Sequence, residues 1–127
     1  MASILLIDDM HAVRRAIAAV LKGAGHQVTE AADGAEGLAK ARAARFDLVV
    51  TDMLMPGVDG TAVVMELASD ADRPRLLAIS GGSGAMSEVD ALRLAGLKAD
   101  ATLPKPFENA ELLAVVDRLL GTPRTRH

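Results

Sequence analysis

Five short apolar runs, at residues 3 to 8, 26 to 31, 47 to 52, 75 to 80 and 100 to 104, alternate along this chain with stretches of helical pattern. Strands joined by helix-length connections cannot pair as hairpins. They build βαβ units with right-handed crossovers, and the result is a parallel sheet with helices on both faces. Runs such as Ile4-Leu5-Leu6-Ile7 and Leu48-Val49-Val50 are apolar at every position, as strands buried on both faces should be. The expected fold is therefore α/β, with a (βα)5 chain order. At 127 residues, half of them hydrophobic, the chain has material for one continuous core and one domain, expected over residues 1 to 121 with a tail at 122 to 127 and no effector domain after it.

The helical stretches differ in strength. Val13, Ile17, Val20 and Leu21 form one apolar face, ended by Lys22-Gly23-Ala24-Gly25, and Asp9 stands where an N-cap belongs. The second stretch, about 34 to 44, is Ala-rich with Leu38 as its one large apolar residue. A third begins near Asp59 with Val63, Val64 and Leu67, and a fifth, about 108 to 120, carries Leu112, Val116, Leu119 and Leu120. The fourth, about 87 to 95, follows Gly81, Gly82 and Gly84 and has a thin apolar face, which marks it as a candidate moving part.

In an open α/β sheet, ligands bind beyond the carboxyl ends of the strands. Here those ends carry Asp8 and Asp9, Asp52, Ser80 and Lys105. Carboxylates brought together repel unless a cation joins them, and Mg²⁺ suits a carboxylate set that also holds water and phosphate oxygens. Asp52 is the candidate nucleophile toward phosphorus, since it ends the central strand and is followed by a turn, Met55-Pro56-Gly57-Val58, rather than directly by a helix. Lys105 would offset phosphoryl charge and Ser80 would donate its hydroxyl, while Gly81 and Gly82 clear side chains from the approach. Met53 and Met55 read as gap fillers, and His11, His26 and His127 as surface residues.

Composition excludes several classes. With 14 basic and 17 acidic side chains the net charge is −3, and no basic cluster suggests a nucleic-acid face. Without cysteine there are no disulfides or thiolate metal sites. No run approaches the roughly 20 apolar residues of a membrane span, and the start lacks a signal-peptide pattern, so the cytoplasm is the expected location.

Leu5-Leu6-Ile7-Asp8-Asp9, the Asp52 to Gly60 segment, Ile79-Ser80-Gly81 and Pro104-Lys105-Pro106-Phe107 occur in an order and spacing that resemble a response-regulator receiver domain over residues 3 to 120. The chain is similar to the stand-alone, chemotaxis-type members. The resemblance implies a flavodoxin-like sheet in the order 2-1-3-4-5, a type for which such a receiver is itself a standard example. It implies that Asp52 accepts a phosphoryl group from a phosphohistidine on a histidine kinase or phosphotransfer protein. It further implies Mg²⁺ bound directly by Asp9, Asp52 and the Leu54 carbonyl, with Asp8 acting mainly through water, phosphoryl contacts from Lys105 and Ser80, and a cis bond before Pro106. Thr102 departs from the pattern, because it stands where the family usually has an aromatic switch residue.

The expected function is a monomeric, single-domain regulator with slow self-hydrolysis and output through an unknown downstream protein, without nucleic acid or membrane. A phosphate intermediate or sink in a relay is the runner-up. An aspartate-nucleophile phosphatase is disfavoured because position 54 is Leu rather than a second aspartate, and a flavin module because the chain has two Phe and no Tyr or Trp for stacking.

Overall fold

The computed structural model describes residues 2–53, 60–69, 73–80, 99–105 and 107–121, by backbone alone at 60, 61, 80 and 104. Strands β1 (Ser3–Ile7), β2 (Gln27–Ala31), β3 (Leu48–Asp52), β4 (Arg75–Ser80) and β5 (Ala101–Pro104) form one sheet in the order β2-β1-β3-β4-β5. Every pairing is parallel. The described helices are α1 (His11–Gly23), α2 (Gly34–Ala43), α3 (Gly60–Ala68) and α4 (Asn109–Gly121). Helix α4 is the fifth helical stretch of the sequence, since residues 87 to 95 lie outside the described residues, as do Asp59, the 55 to 58 turn and the 122 to 127 tail.

Pleat alternation divides the core into two layers. Ile4 and Leu6 of β1, Leu48 and Val50 of β3, and Leu77 and Ile79 of β4 face Ile17 and Leu21 of α1 and Leu112, Val116 and Leu119 of α4. The alternate residues Leu5, Ile7, Val49, Leu76 and Ala78 face Leu38 of α2 and Val63, Val64 and Leu67 of α3. All of β3 is buried, which is why its sequence shows no alternation. Opposite the carboxyl edge, Asp47 accepts from the Ser3 N–H at 2.8 Å, and Asp100 accepts from the Leu76 N–H at 2.7 Å while holding Arg73 at 2.9 and 3.1 Å. These bonds pin the starts of β1 and β4 and so the register that sets their far ends.

Two expectations need correction. Asp9 does not cap α1: the cap position is Met10, with extended backbone and no side-chain cap, and the Met10 N–H is taken instead by Asp8 Oδ1 at 2.8 Å. The turn after β1 is one residue longer than a direct Asp9 cap allows, which releases Asp9 toward the sheet edge. His26 is half-buried rather than a plain surface residue, because its Nδ1 accepts from the Ala2 N–H at 3.2 Å.

Helix α2, weak by pattern, is held by its ends and by a close approach. Asp33 accepts from the Glu36 N–H at 2.8 Å, and Glu36 reaches back to the Ala32 N–H at 2.7 Å, a reciprocal cap shifted by one residue. Gly37 lies against β1 so closely that a Cβ there would fall 2.3 Å from Ile7 Cδ1 and 2.7 Å from Ile7 Cγ1. Ile7 is fully buried and cannot swing away. Gly37→Ala should therefore destabilise the fold by about 1–3 kcal/mol, the range for overpacking, despite a helix-propensity gain near 1 kcal/mol. Urea unfolding midpoints check this; a stabilised variant would show that α2 has room to lift.

Candidate functional site

The sheet order reverses between β1 and β3, which places the ligand crevice at their carboxyl ends. Ile7 is in register with Thr51, so the next residues, Asp8 and Asp52, stand side by side. Asp52 is level with Ile79, and the Met53 N–H extends the ladder by donating to the Ile79 carbonyl at 2.9 Å. Ser80 is level with Pro104, so Lys105 starts one step past the edge, and Phe107 packs against the α1/α4 core layer just beyond it.

The side chains converge. Asp8, Asp9 and Asp52 each present a carboxylate oxygen, all within 4.8 Å of one another. Lys105 Nζ lies 3.7 Å from Asp52 Oδ2 and 3.9 Å from Asp8 Oδ2. Asp8 is 1% exposed and Asp52 5%, whereas Asp9 is exposed and leaves the cluster open on one side. One ammonium against three carboxylates leaves a net negative site. Burial pushes the Asp8 carboxyl above the ordinary aspartate range, with the Met10 N–H and the Lys105 ammonium working against it, the Asp9 carboxylate adding to it and the Arg14 guanidinium opposing it. Three hard oxygen donors, two buried and one open to water, are the donor set that Mg²⁺ accepts, and among the described residues no sulfur or imidazole donor joins the cluster.

The raised Asp8 pKa has a definite sign. Ionising Asp8 costs more in the folded chain than in the unfolded one, so its stability contribution is full below the ordinary aspartate pKa and is lost as pH rises through the folded value. In chelator at neutral pH, Asp8→Asn should therefore stabilise the fold by on the order of 1 kcal/mol. The gain should shrink toward zero at about pH 4 and below. Excess Mg²⁺ should reverse the ranking by stabilising the parent through mass action. Melting curves across pH with and without Mg²⁺ check this, and a parent indifferent to Mg²⁺ would count against a shared site.

Ser80 ends β4, with its side chain outside the described residues, as are Leu54, Gly81, Gly82 and Pro106 altogether. Thr102 is half-buried on β5 in register with Ala78. Met53 is buried in the α2/α3 layer, as a gap filler should be. Arg14 also reaches the site, its Nη1 donating to the Asp8 carbonyl at 3.0 Å, a contact the motifs do not show. Its only sequence cue is a cation near the start of α1, where the helix dipole disfavours one.

A parallel five-stranded sheet with these acids at its switch point is the architecture of a two-component receiver. The chain matches the response regulator receiver domain family over residues 4–117 and belongs to that family. It is 37% identical to the transcriptional activator protein PfeR of Pseudomonas aeruginosa over 123 residues, covering 95% of this chain and 38% of PfeR. It is 40% identical to the response regulator MprA of Mycolicibacterium vanbaalenii over 119 residues, covering 92% of this chain and 49% of MprA. The chain thus spans half or less of these curated relatives. The response regulator TrrA of Thermotoga maritima, solved in complex with Mg²⁺ and BeF, superposes with a TM-score of 0.82 at 28% identity, covering 94% of this chain and 99% of TrrA. Receiver domains are signalling phosphoacceptors. Among the described residues, no helix is long and apolar enough to cross a membrane.

Proposed function

We propose that Asp52 is the phosphoacceptor of this receiver, taking its phosphoryl group from a phosphohistidine on a histidine kinase or phosphotransfer protein. The observation that carries the reading is the convergence of Asp8, Asp9 and Asp52 oxygens within 4.8 Å, with the Lys105 ammonium 3.7 Å from Asp52. An Asp52 carboxylate oxygen attacks phosphorus, the bond to the donor imidazole nitrogen breaks, and the electron pair leaves with the imidazole. Asp52 stands at a strand end still paired with Ile79 of β4, so little reorganisation precedes attack. Asp8, Asp9, Asp52 and the Leu54 carbonyl would hold Mg²⁺, which when bound supplies positive charge against the phosphoryl oxygens. Lys105 brings its ammonium to the same oxygens, and Ser80 contributes a hydroxyl donor.

The protein is then no turnover enzyme: it catalyses its own phosphorylation and a slow hydrolysis, and the receiver signals through protein contacts, in the cytoplasm and as a monomer. A role as phosphate intermediate or sink shares the same site and differs in rapid back-transfer to a phosphotransfer protein. The expectation of no nucleic-acid partner finds no support among the relatives, one of which is named a transcriptional activator. Output without an aromatic at Thr102 is assigned to Gly81, Gly82 and the residues after them.

Incubation with acetyl phosphate and Mg²⁺, read by intact mass, should add a single phosphoryl group per chain, and omission of Mg²⁺ should prevent it. Sustained turnover of small phosphate esters would instead support a phosphatase.

A further inference from the structure

Resting on the Mg²⁺ reading of the acid cluster, we infer that Arg14 is its positioning residue: the guanidinium grips the peptide joining Asp8 to Asp9 and ties it to β2. Each guanidinium nitrogen has its own partner. Nη1 donates to the Asp8 carbonyl at 3.0 Å, Nε donates to Glu30 Oε1 at 3.0 Å, and Nη2 lies 2.9 Å from His11 Nδ1. The Arg14 side chain is 11% exposed, so its bonds to the Asp8 carbonyl and Glu30 are partly withdrawn from water, unlike an ordinary surface pair, while the contact with His11 lies at the surface.

The Asp8 carbonyl is one half of the planar peptide whose other half is the Asp9 N–H, so holding it fixes the direction in which Asp9 leaves the sheet. The preceding peptide is held as well, since the Asp8 N–H donates to the Ala31 carbonyl at 3.1 Å. The Asp8 side chain is held by the Met10 N–H at 2.8 Å. Glu30 is in turn anchored, because its backbone carbonyl accepts from Lys40 Nζ at 2.6 Å and Lys40 pairs at 2.9 Å with Glu36, which reaches back to the Ala32 N–H at the start of α2. A polar chain therefore runs from the start of α2 through Lys40, Glu30 and Arg14 to the acid pair.

Charge and geometry make opposite predictions for this residue. As a nearby cation Arg14 opposes Mg²⁺, so a purely electrostatic role means that its removal tightens binding. As a positioning group it favours Mg²⁺, because partners that orient metal ligands contribute roughly 10- to 100-fold in affinity. Lysine keeps the charge but offers one nitrogen in place of the planar fork, so it cannot hold the carbonyl, Glu30 and His11 from three separate nitrogens.

Titration of the ¹⁵N-labelled full chain with MgCl2, following the Asp8 to Met10 and Asp52 amides, separates the two. Arg14→Ala and Arg14→Lys should each weaken Mg²⁺ binding by about 10-fold with unchanged circular dichroism. Unchanged or tighter binding in either folded variant would overturn the assignment. Should neither variant fold, Glu30→Gln decides, because it leaves the grip on Asp8 but weakens its tether; weaker Mg²⁺ binding supports the role and unchanged binding refutes it. Amide exchange at Asp8 and Met10, whose N–H groups are hydrogen-bonded on either side of the gripped peptide, gives a readout without metal: Arg14→Lys should speed it, and an unchanged rate would count against the grip. Failure of the parent to bind Mg²⁺ while exchange at Asp8 and Met10 accelerates in the variant would refute the metal reading and leave the grip standing.

Discussion

Asp52→Ala should abolish phosphoryl incorporation from acetyl phosphate, leaving intact mass unchanged under conditions that convert the parent. The reason is positional as much as chemical. Asp8 and Asp9 are carboxylates in the same cluster, yet Asp8 Oδ1 is committed to the Met10 N–H and Asp9 sits on an exposed turn outside the sheet. Asp52 alone of the three belongs to a strand, in register with Ile79 of β4, and lies nearest the Lys105 ammonium. A nucleophile must be held so that its attack needs no search, and strand pairing supplies that hold. The variant should stay folded, because removing one of three mutually repelling carboxylates relieves charge in the metal-free site. Retained labelling of a folded Asp52→Ala chain would move the acceptor elsewhere in the cluster.

Lys105→Ala should slow phosphorylation by on the order of 100-fold, the usual cost of deleting one preorganised group that meets developing charge, or about 3 kcal/mol of barrier. The ammonium lies 3.7 and 3.9 Å from the Asp52 and Asp8 oxygens, ion-pair distances without close hydrogen bonding, so its contribution is chiefly charge at the place where phosphoryl oxygens arrive. The same substitution leaves the three carboxylates without that counter-charge. It should therefore lower the melting temperature in chelator and enlarge the stabilisation by Mg²⁺. The two readouts moving in opposite directions distinguish loss of an active charge from loss of fold. A Lys105→Ala chain phosphorylated at the parental rate would place the ammonium outside the reaction.

The fold was legible because its strands are buried on both faces and so announce themselves as unbroken apolar runs, as in Ile4 to Ile7 and Leu48 to Val50. Helix α2 was less so, since its close approach to Ile7 of β1 falls at Gly37, a residue with no side chain to signal packing. Among the site residues, Asp8, Asp9, Asp52 and Lys105 could be placed together from the strand ends alone, because a parallel sheet gathers its carboxyl termini at one edge. What could not be read was how the turn after β1 is held. Asp9 follows the N-cap pattern, but the actual cap falls on Met10 and the carboxylate that receives its N–H is Asp8. Arg14 was invisible for a related reason: its acceptor is a backbone carbonyl six residues away, a contact that no side-chain pattern encodes.

The most direct measurement is site mapping in the unmodified chain: phosphorylation with acetyl phosphate and Mg²⁺, borohydride reduction of the acyl phosphate to homoserine, proteolysis and peptide sequencing by mass spectrometry. The account predicts homoserine at position 52 alone, and none when Mg²⁺ is withheld. Conversion at position 8 or 9, or a modification on Ser80 that survives without an acyl phosphate, would contradict it.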